Sequence, residues 1–452
     1  MITVYIPNNF IAERRYAVDT LLRHYCGIDV DIIPRPGQIH YVLMWEEKSI
    51  VIEDHFFGQT IVGYSYIAAD RIPEKITETT QAGFQHAVNI YGQDNLEIFP
   101  DKIVSGLDVF AGAFFMLTRW EEALGLYEDL HGRFPAAQSV VVKSGFILRP
   151  IVDEYVALLK SWLKQLGYPV PETKDSFKVV PTCDVDMPYF WLKKPRWKVI
   201  LSQWLANKKL STIKQTRQKI RTIEAGVEQD PYDQFDYMMM LAEKSGLTFD
   251  FNMLVGGISK YEGYYSVTDP RIQELMKSFI KRNHRIGLHP SYNSFLDSKL
   301  IFEEKQLLAK HASTPIKSSR QHYLRYSVSA TARYLVDASI KEDSTLGYAA
   351  EPGFRCGTSK PFPIFDIALQ KTLPLLERPL LIMDVSFRYY KNYTPDESIV
   401  LCEKIIREVK KHNGELVFLW HNSNLSEVEG WSEWRKVFEY LMNARFDYAQ
   451  RP

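Results

Sequence analysis

The spacing of apolar residues divides the 452-residue chain into two parts with different rhythms. In the first, residues 1–168, short strand-like and helical runs follow one another irregularly, as in a small mixed α/β unit. Residues 2–6, 41–44 and 49–53 read as strands, and 12–25 carry apolar residues at helical spacing. Residues 108–122 read as a helix, with Asp108 as its cap and Phe110, Phe114 and Leu117 on one apolar face. In the segment after it, 129–134, His131 and Arg133 fit a polar turn at the edge of the unit better than a ligand clamp. A helix over 155–166 leads into 167–175, where prolines and charges mark a linker.

The second part, residues 176–452, changes to a repeated strand–loop–helix pattern. Strands are predicted at 177–183, 248–254, 285–288, 316–319, 380–385 and 416–419, and helices at 235–245, 271–282, 299–311, 330–340 and 396–411. Such alternation requires crossover connections and therefore a mostly parallel sheet wrapped by helices. An open sheet and a closed barrel both satisfy it, and in either form ligands sit at the carboxyl ends of the strands.

Polar residues recur at those ends. The first strand finishes in Thr182-Cys-Asp184-Val-Asp186, which places two carboxylates on the same side of an extended chain. Later strands finish at His289-Pro-Ser-Tyr-Asn293, at Arg320-Gln-His322-Tyr323, at Asp384, and at Leu419-Trp-His421-Asn422. Each of these residues alone fits a turn cap or a satisfied core position; their recurrence on the ligand-binding face points to a metal or acid–base site. Carboxylate oxygen and imidazole nitrogen suit a divalent ion such as zinc, which in catalytic sites takes three protein ligands and leaves a position for water. Asp186 and His289 are the natural first two ligands. Asp184 is then the general base, with Arg320 neutralising and orienting it. His421 is placed to protonate a departing amine, with Asp384 fixing its tautomer and raising its pKa. That set describes a metal-assisted amide hydrolase.

Composition narrows the classes. Fifty-five basic residues balance fifty-five acidic ones, so a nucleic-acid binder with a global positive field is not expected. Aromatic residues make up 13% of the chain, which leans towards a sugar-handling cleft. Cys26, Cys183, Cys356 and Cys402 are scattered and suggest neither disulfides nor a cysteine zinc site. The start of the sequence lacks the features of a secretory signal, and the longest apolar run, 109–117, is about half the length of a membrane span. A cytoplasmic protein is the expectation. One stretch stands apart: residues 187–222 contain ten Lys or Arg and no acid, with Trp191, Trp197 and Trp204 interleaved among Lys193, Lys194, Arg196, Lys198, Lys208 and Lys209. This insertion is either a helical hairpin whose tryptophans pack on the domain or a peripheral contact for an anionic membrane surface or polymer.

With these motifs in order, residues 177–425 resemble the polysaccharide deacetylases of the NodB-homology type, carbohydrate esterase family 4. The resemblance implies a distorted (β/α) barrel preceded by the smaller mixed α/β domain. It also implies a zinc-like ion, whose bound water removes acetyl groups from N-acetylated sugars. Tyr323 or a backbone amide near it would share the oxyanion, unless the tyrosine only packs, and Trp420 and Asn422, either side of His421, would contact substrate. The chain departs from the family where a second ligating His is usual, since position 293 is Asn. Asn293 or His322 is then the third ligand, or metal is held loosely, or catalysis is lost. Arg355, in a loop made tight by Gly353 and Gly357, either binds a phosphate or sugar carboxylate or pairs with Asp366 or Glu351. The first part, through residues 108–122 and 129–134, resembles an uncharacterised domain that precedes some bacterial deacetylase-like proteins. The expected role is therefore N-deacetylation in bacterial surface polysaccharide or lipid-linked glycan synthesis, at the inner membrane face if the basic insertion docks there. A non-catalytic sugar-binding relative and an amidase on a non-sugar substrate are the alternatives.

Overall fold

The computed structural model describes residues 1–59, 65–81, 83, 86–172, 175–193, 196–257 and 259–445. Its first sheet has the order β2-β1-β3-β4-β8-β7, from β1 (Ile2–Pro7), β2 (Val30–Arg35), β3 (Tyr41–Trp45), β4 (Lys48–Ile52), β7 (Gly92–Ile98) and β8 (Lys102–Leu107). A separate two-stranded ladder joins β5 (Thr77–Glu78) to β6 (Val88–Asn89). Ile2, Val4 and Ile6 alternate into the core along β1, as the period of a half-covered strand requires. The accompanying helices are α1 (Ile11–Val18), α2 (Val109–Thr118), α3 (Val140–Lys143) and α4 (Ile151–Gln165). The helix predicted over 12–25 is α1 continued by a π-helical stretch, Asp19–Tyr25. Asp108 caps α2 by accepting the Ala111 N–H at 3.0 Å, and α2 stops at Arg119, which turns left-handed, short of the predicted 122.

The second sheet has nine strands: β9 (Lys178–Val185), β10 (Asp250–Leu254), β11 (Arg285–His289), β12 (Ser318–Ser319), β13 (Glu342–Asp343), β14 (Phe362–Asp366), β15 (Lys371–Glu377), β16 (Ile382–Met383) and β17 (Glu415–Leu419). The order is β14-β15-β13-β12-β11-β10-β9-β17-β16, parallel throughout except for β14 against β15. Every residue of β10 and β17 is buried, as expected for parallel strands covered on both faces. No pairing joins the edge strands β14 and β16 among the described residues, so the mixed α/β architecture is present without a closed ring of hydrogen bonds. The helices are α5 (Arg196–Asn207), α6 (Leu210–Glu224), α7 (Phe235–Lys244), α8 (Pro270–Lys281), α9 (Ser298–Ala312), α10 (Thr331–Asp337), α11 (Pro395–Lys411) and α12 (Arg435–Met442). Asp297 and Thr394 cap α9 and α11; the second forms a reciprocal capping box with Glu397.

The two sheets share one apolar core. Tyr16 of the first unit lies 4.9 Å, ring to ring, from Phe365 on β14 and donates its hydroxyl to Pro363 O, while Asp153 on α4 accepts from Thr358 and Ser359. Of the predicted linker, Asp175 pairs with Lys360, and Thr173 and Lys174 lie outside the described residues. The basic insertion forms the hairpin α5–α6; Lys194 is outside the described residues.

Candidate metal centre

The carboxyl ends of β9, β11, β12, β16 and β17 open into one cavity of about 410 Å³. Its wall includes Asp184, Asp186, His289, His322, Tyr323, His421 and Asn422, together with Arg133 from the first unit. Parallel register brings residues far apart in sequence side by side: Asn252 pairs with Asp184, and Leu254 with His289.

Asp186, His289 and His322 offer one ligand atom each, all within 4.8 Å of one another. His289 Nε2 stands 3.3 Å and His322 Nε2 3.7 Å from Asp186 Oδ1, separations of the order that ligands sharing one zinc-sized ion adopt. Asp186 Oδ1 is buried and has no donor in hydrogen-bonding geometry, an arrangement that costs free energy unless a cation completes it. The other ring nitrogens are already engaged. His289 Nδ1 lies 2.5 Å from Arg320 O and His322 Nδ1 3.4 Å from Glu262 Oε1, so in both rings Nδ1 donates and Nε2 is the nitrogen turned towards Asp186. Burial alone would raise the Asp186 carboxyl, but His322, His289 and His421 together hold it well below the usual carboxylate range. Burial likewise opposes charge on His289, yet Asp184 and Asp186 raise it above the ordinary imidazole value. The donor set, the orphaned oxygen and the fixed tautomers fit a divalent ion.

Two further pairs flank this cluster. Asp184 Oδ1 accepts from Asn252 Nδ2 at 2.8 Å and from Arg320 Nη1 at 3.2 Å, which leaves Oδ2 nearer the cluster, 3.8 Å from His289 Nε2. Arg320 is fully buried and also donates to Thr182 Oγ1, Ser344 O and Ser344 Oγ, tying the ends of β9 and β12 to the turn after β13. Opposite, His421 Nδ1 lies 2.9 Å from Asp384 Oδ1, while its Nε2 points into the cavity, 3.7 Å from Asp186 Oδ2. Burial works against protonating His421, but Asp384 prevails and its pKa is pushed up to about 10. Asp384 is itself held by Asn424 Nδ2 and by the His421 N–H. Beside His421 the wall becomes apolar, with Leu324, Ala349, Met383, Val385 and Leu419 forming a patch.

Other candidates lie elsewhere. Asn293 is exposed at the head of the turn Ser294–Leu296 and does not line the cavity, although Ser294 and Phe295 beside it are buried. It is corrected as a ligand; His322 occupies the position beside Asp186. Trp420 is buried against Phe438 behind the cavity wall, as strand alternation requires for a neighbour of His421, so its substrate contact is also corrected. Asn422 does line the cavity, but its amide is spent on Met187 O and Tyr232 O. Arg355 is buried in a pair with Glu122 of the first unit, so the expected partners differ: Asp366 pairs with Arg333 and Glu351 with Lys391. That contact lies away from the cavity and leaves Arg355 no role in it.

Sequence reasoning missed several contributors. Segment 129–134 is not confined to the edge of its unit: Arg133 reaches the cavity wall, donates to Tyr323 O at 3.0 Å and pairs with Asp129. The His131 ring lies 4.6 Å from Tyr323. Tyr323 follows His322 directly and has a positive φ of 61°, so this loop braces the backbone beside a candidate ligand. Glu262 had no signal in its polar loop, whereas Asn252, a lone amide inside an apolar strand, was a readable one.

Residues 2–168 match the model of a family of unknown function, DUF7033. No curated protein matches the sequence. Among solved structures, the chain is similar to a protein of Mycobacterium smegmatis described as a polysaccharide deacetylase, at 14% identity and a TM-score of 0.39 over 61% of this chain and 85% of that one. A mutant CE4-family pseudoenzyme with restored enzymatic activity gives 9% identity and a TM-score of 0.30 over 61% of this chain and 66% of its own. The 4-alpha-glucanotransferase of Thermococcus litoralis gives 12% and 0.36, over 60% of this chain and 37% of its own. At such scores a functional reading rests on the geometry of the site itself.

Proposed function

We propose that this protein is a metal-dependent hydrolase that removes an N-acetyl group from a sugar. In this reading residues 176–452 form a distorted (β/α) barrel of the deacetylase type, and residues 1–168 form a smaller α/β domain packed against it through the shared core. The observation that carries the proposal is the convergence of Asp186, His289 and His322 in one cavity, flanked by the Asp184–Arg320 and His421–Asp384 pairs. Asp186, His289 and His322 would hold a divalent ion, which when bound would supply a Lewis acid and lower the pKa of water. Asp184 Oδ2, the oxygen its partners leave nearer the cluster, takes the proton of the attacking water. His421 Nε2, across the cavity and kept protonated by Asp384, gives a proton to the departing amine. In this reading Tyr323, on the cavity wall beside His322, shares the carbonyl oxygen, and the apolar patch next to His421 suits the acetyl methyl.

A sugar is favoured over other amides by Tyr389 and Tyr390, which are 60% and 45% exposed and line the same cavity as stacking surfaces. A non-catalytic sugar binder is disfavoured because His322 stands where a third ligand is needed. Surface polysaccharide or lipid-linked glycan synthesis remains the proposed setting; no helix among the described residues is long and apolar enough to cross a membrane.

The test is metal content per purified chain, together with acetate release from N-acetylated sugar oligomers. Near-stoichiometric metal is expected in wild type and in Asn293→Ala, and its loss in Asp186→Ala, His289→Ala and His322→Ala. Asp184→Asn should keep metal and lose about 10²–10⁴-fold in kcat. Wild type that holds no metal after incubation with zinc would overturn the proposal.

A further inference from the structure

The hairpin α5–α6 leaves the body at the cavity rim. Met187, the residue after Asp186, lines the cavity, and Asn422 Nδ2 bridges Met187 O at 3.0 Å and Tyr232 O at 2.8 Å, one on each foot of the excursion. Asp230 ties the feet together by accepting the Phe190 and Trp191 N–H groups. Tyr232 donates to Glu429, another cavity residue, at 2.8 Å. The hairpin is therefore a projection anchored at the mouth of the site.

Its outer faces are unusual for a surface in water. On α5, Trp197, Leu201 and Leu205 recur at helical spacing and are 60%, 41% and 56% exposed, while only Val199 of that helix is buried. Leu210, just past the turn between the helices, is 79% exposed, between Lys208 and Lys209 on one side and Lys214 on the other. On α6, Lys214, Arg217 and Arg221 share the face opposite the buried Thr212, Thr216, Ile220 and Ile223. Acids occur only at the foot, where Glu224 pairs with Arg196 and Glu228 with Lys219. Exposed aliphatic and indole groups bordered by lysines match the boundary of an anionic bilayer, where apolar side chains enter the acyl region and cationic heads reach phosphate. A nucleic-acid polymer would be met by the charge but not by the aliphatic stripe.

We infer that the α5–α6 hairpin docks this protein on an anionic lipid bilayer and brings the cavity mouth to the lipid surface. The substrate class is then a glycan carried on a membrane lipid. That last link rests on the deacetylase reading; the docking does not, because it is measured without turnover.

The experiment is co-sedimentation of the full chain with phosphatidylcholine vesicles, with and without phosphatidylglycerol. Wild type should bind only the phosphatidylglycerol vesicles, less tightly as salt rises. Lys208→Ala, Lys209→Ala and Lys214→Ala together should weaken partitioning roughly a hundredfold, about fivefold per lost cation. Trp197→Ser, Leu201→Ser and Leu205→Ser together should also abolish binding although the charge is unchanged, with metal content and near-ultraviolet circular dichroism as in wild type. The inference is overturned if wild type ignores the anionic vesicles, if the serine variant binds as wild type does, or if polyuridylate competes the vesicles away. It is equally overturned if the serine variant only dissolves a dimer.

Discussion

Replacing Glu262 by Gln tests whether His322 is the third ligand. The Glu262 side chain is almost fully buried: its Oε1 faces His322 Nδ1 at 3.4 Å and accepts the Tyr292 N–H, and its Oε2 accepts the Ser259 N–H at 3.1 Å. Burial alone would raise this carboxyl, but His322 and the two backbone donors bring it below its ordinary value, so it is an anion that orients an imidazole. The substitution keeps the shape and loses the charge, and whichever way the new amide lies, its NH₂ group faces a donor. Loss of such an outer partner costs about 10–100-fold in metal affinity, or about 1.4–2.7 kcal/mol. The mispaired amide adds about 1–3 kcal/mol to the instability of the metal-free fold. The two effects are separable: zinc affinity by competition with a chromophoric chelator, and metal-free stability by urea denaturation. Weaker zinc binding in Glu262→Gln with wild-type binding in Asn293→Ala is the expected pair. Unchanged zinc affinity in Glu262→Gln would refute the assignment of His322 and the chain of reasoning from its tautomer.

Two further outcomes follow from groups around the site. Arg320→Leu removes the buried cation that faces Asp184 and frees acceptors on Thr182 and Ser344, so a loss of about 3–5 kcal/mol in urea unfolding is expected; a loss under about 1 kcal/mol would show that the pair is solvated in solution. Glu304, buried on α9 and accepting the Ser291 N–H, has its carboxyl pushed up to about 7, chiefly by burial. The folded state therefore favours the protonated form, which is fully stabilising below about pH 4.5 and loses that contribution as pH rises through 7, about 3 kcal/mol in all. Glu304→Gln, neutral throughout, should gain on wild type by about that amount between pH 5 and pH 8; parallel stability–pH curves would contradict it.

Much of the second sheet was legible in the chain because its strands are buried on both faces and read as short apolar runs between amphipathic helices. The edge strand β14 and its neighbour β15 were not, since Pro363 and Pro374 interrupt them and they gain their place by packing on α1 and α2. Asp184, Asp186, His289, Arg320, Asp384 and His421 were readable because a parallel sheet sends every strand's carboxyl end to one face. Periodicity alone therefore determined which face carries the polar side chains.

Only the tertiary structure decided between Asn293 and His322. Asn293 is exposed on the loop after β11, while the turn after β12, braced by Glu262 and by Arg133, holds His322 beside Asp186. No local pattern records such a choice, because it depends on a loop from the first unit and a carboxylate 60 residues upstream meeting in space. The same holds for Arg355, where a buried acid on another unit outcompetes the local partners. Spacing along a chain shows which residues share a face; which of them touch is set by how separate elements pack, where burial makes a neighbouring charge worth far more than it is in water.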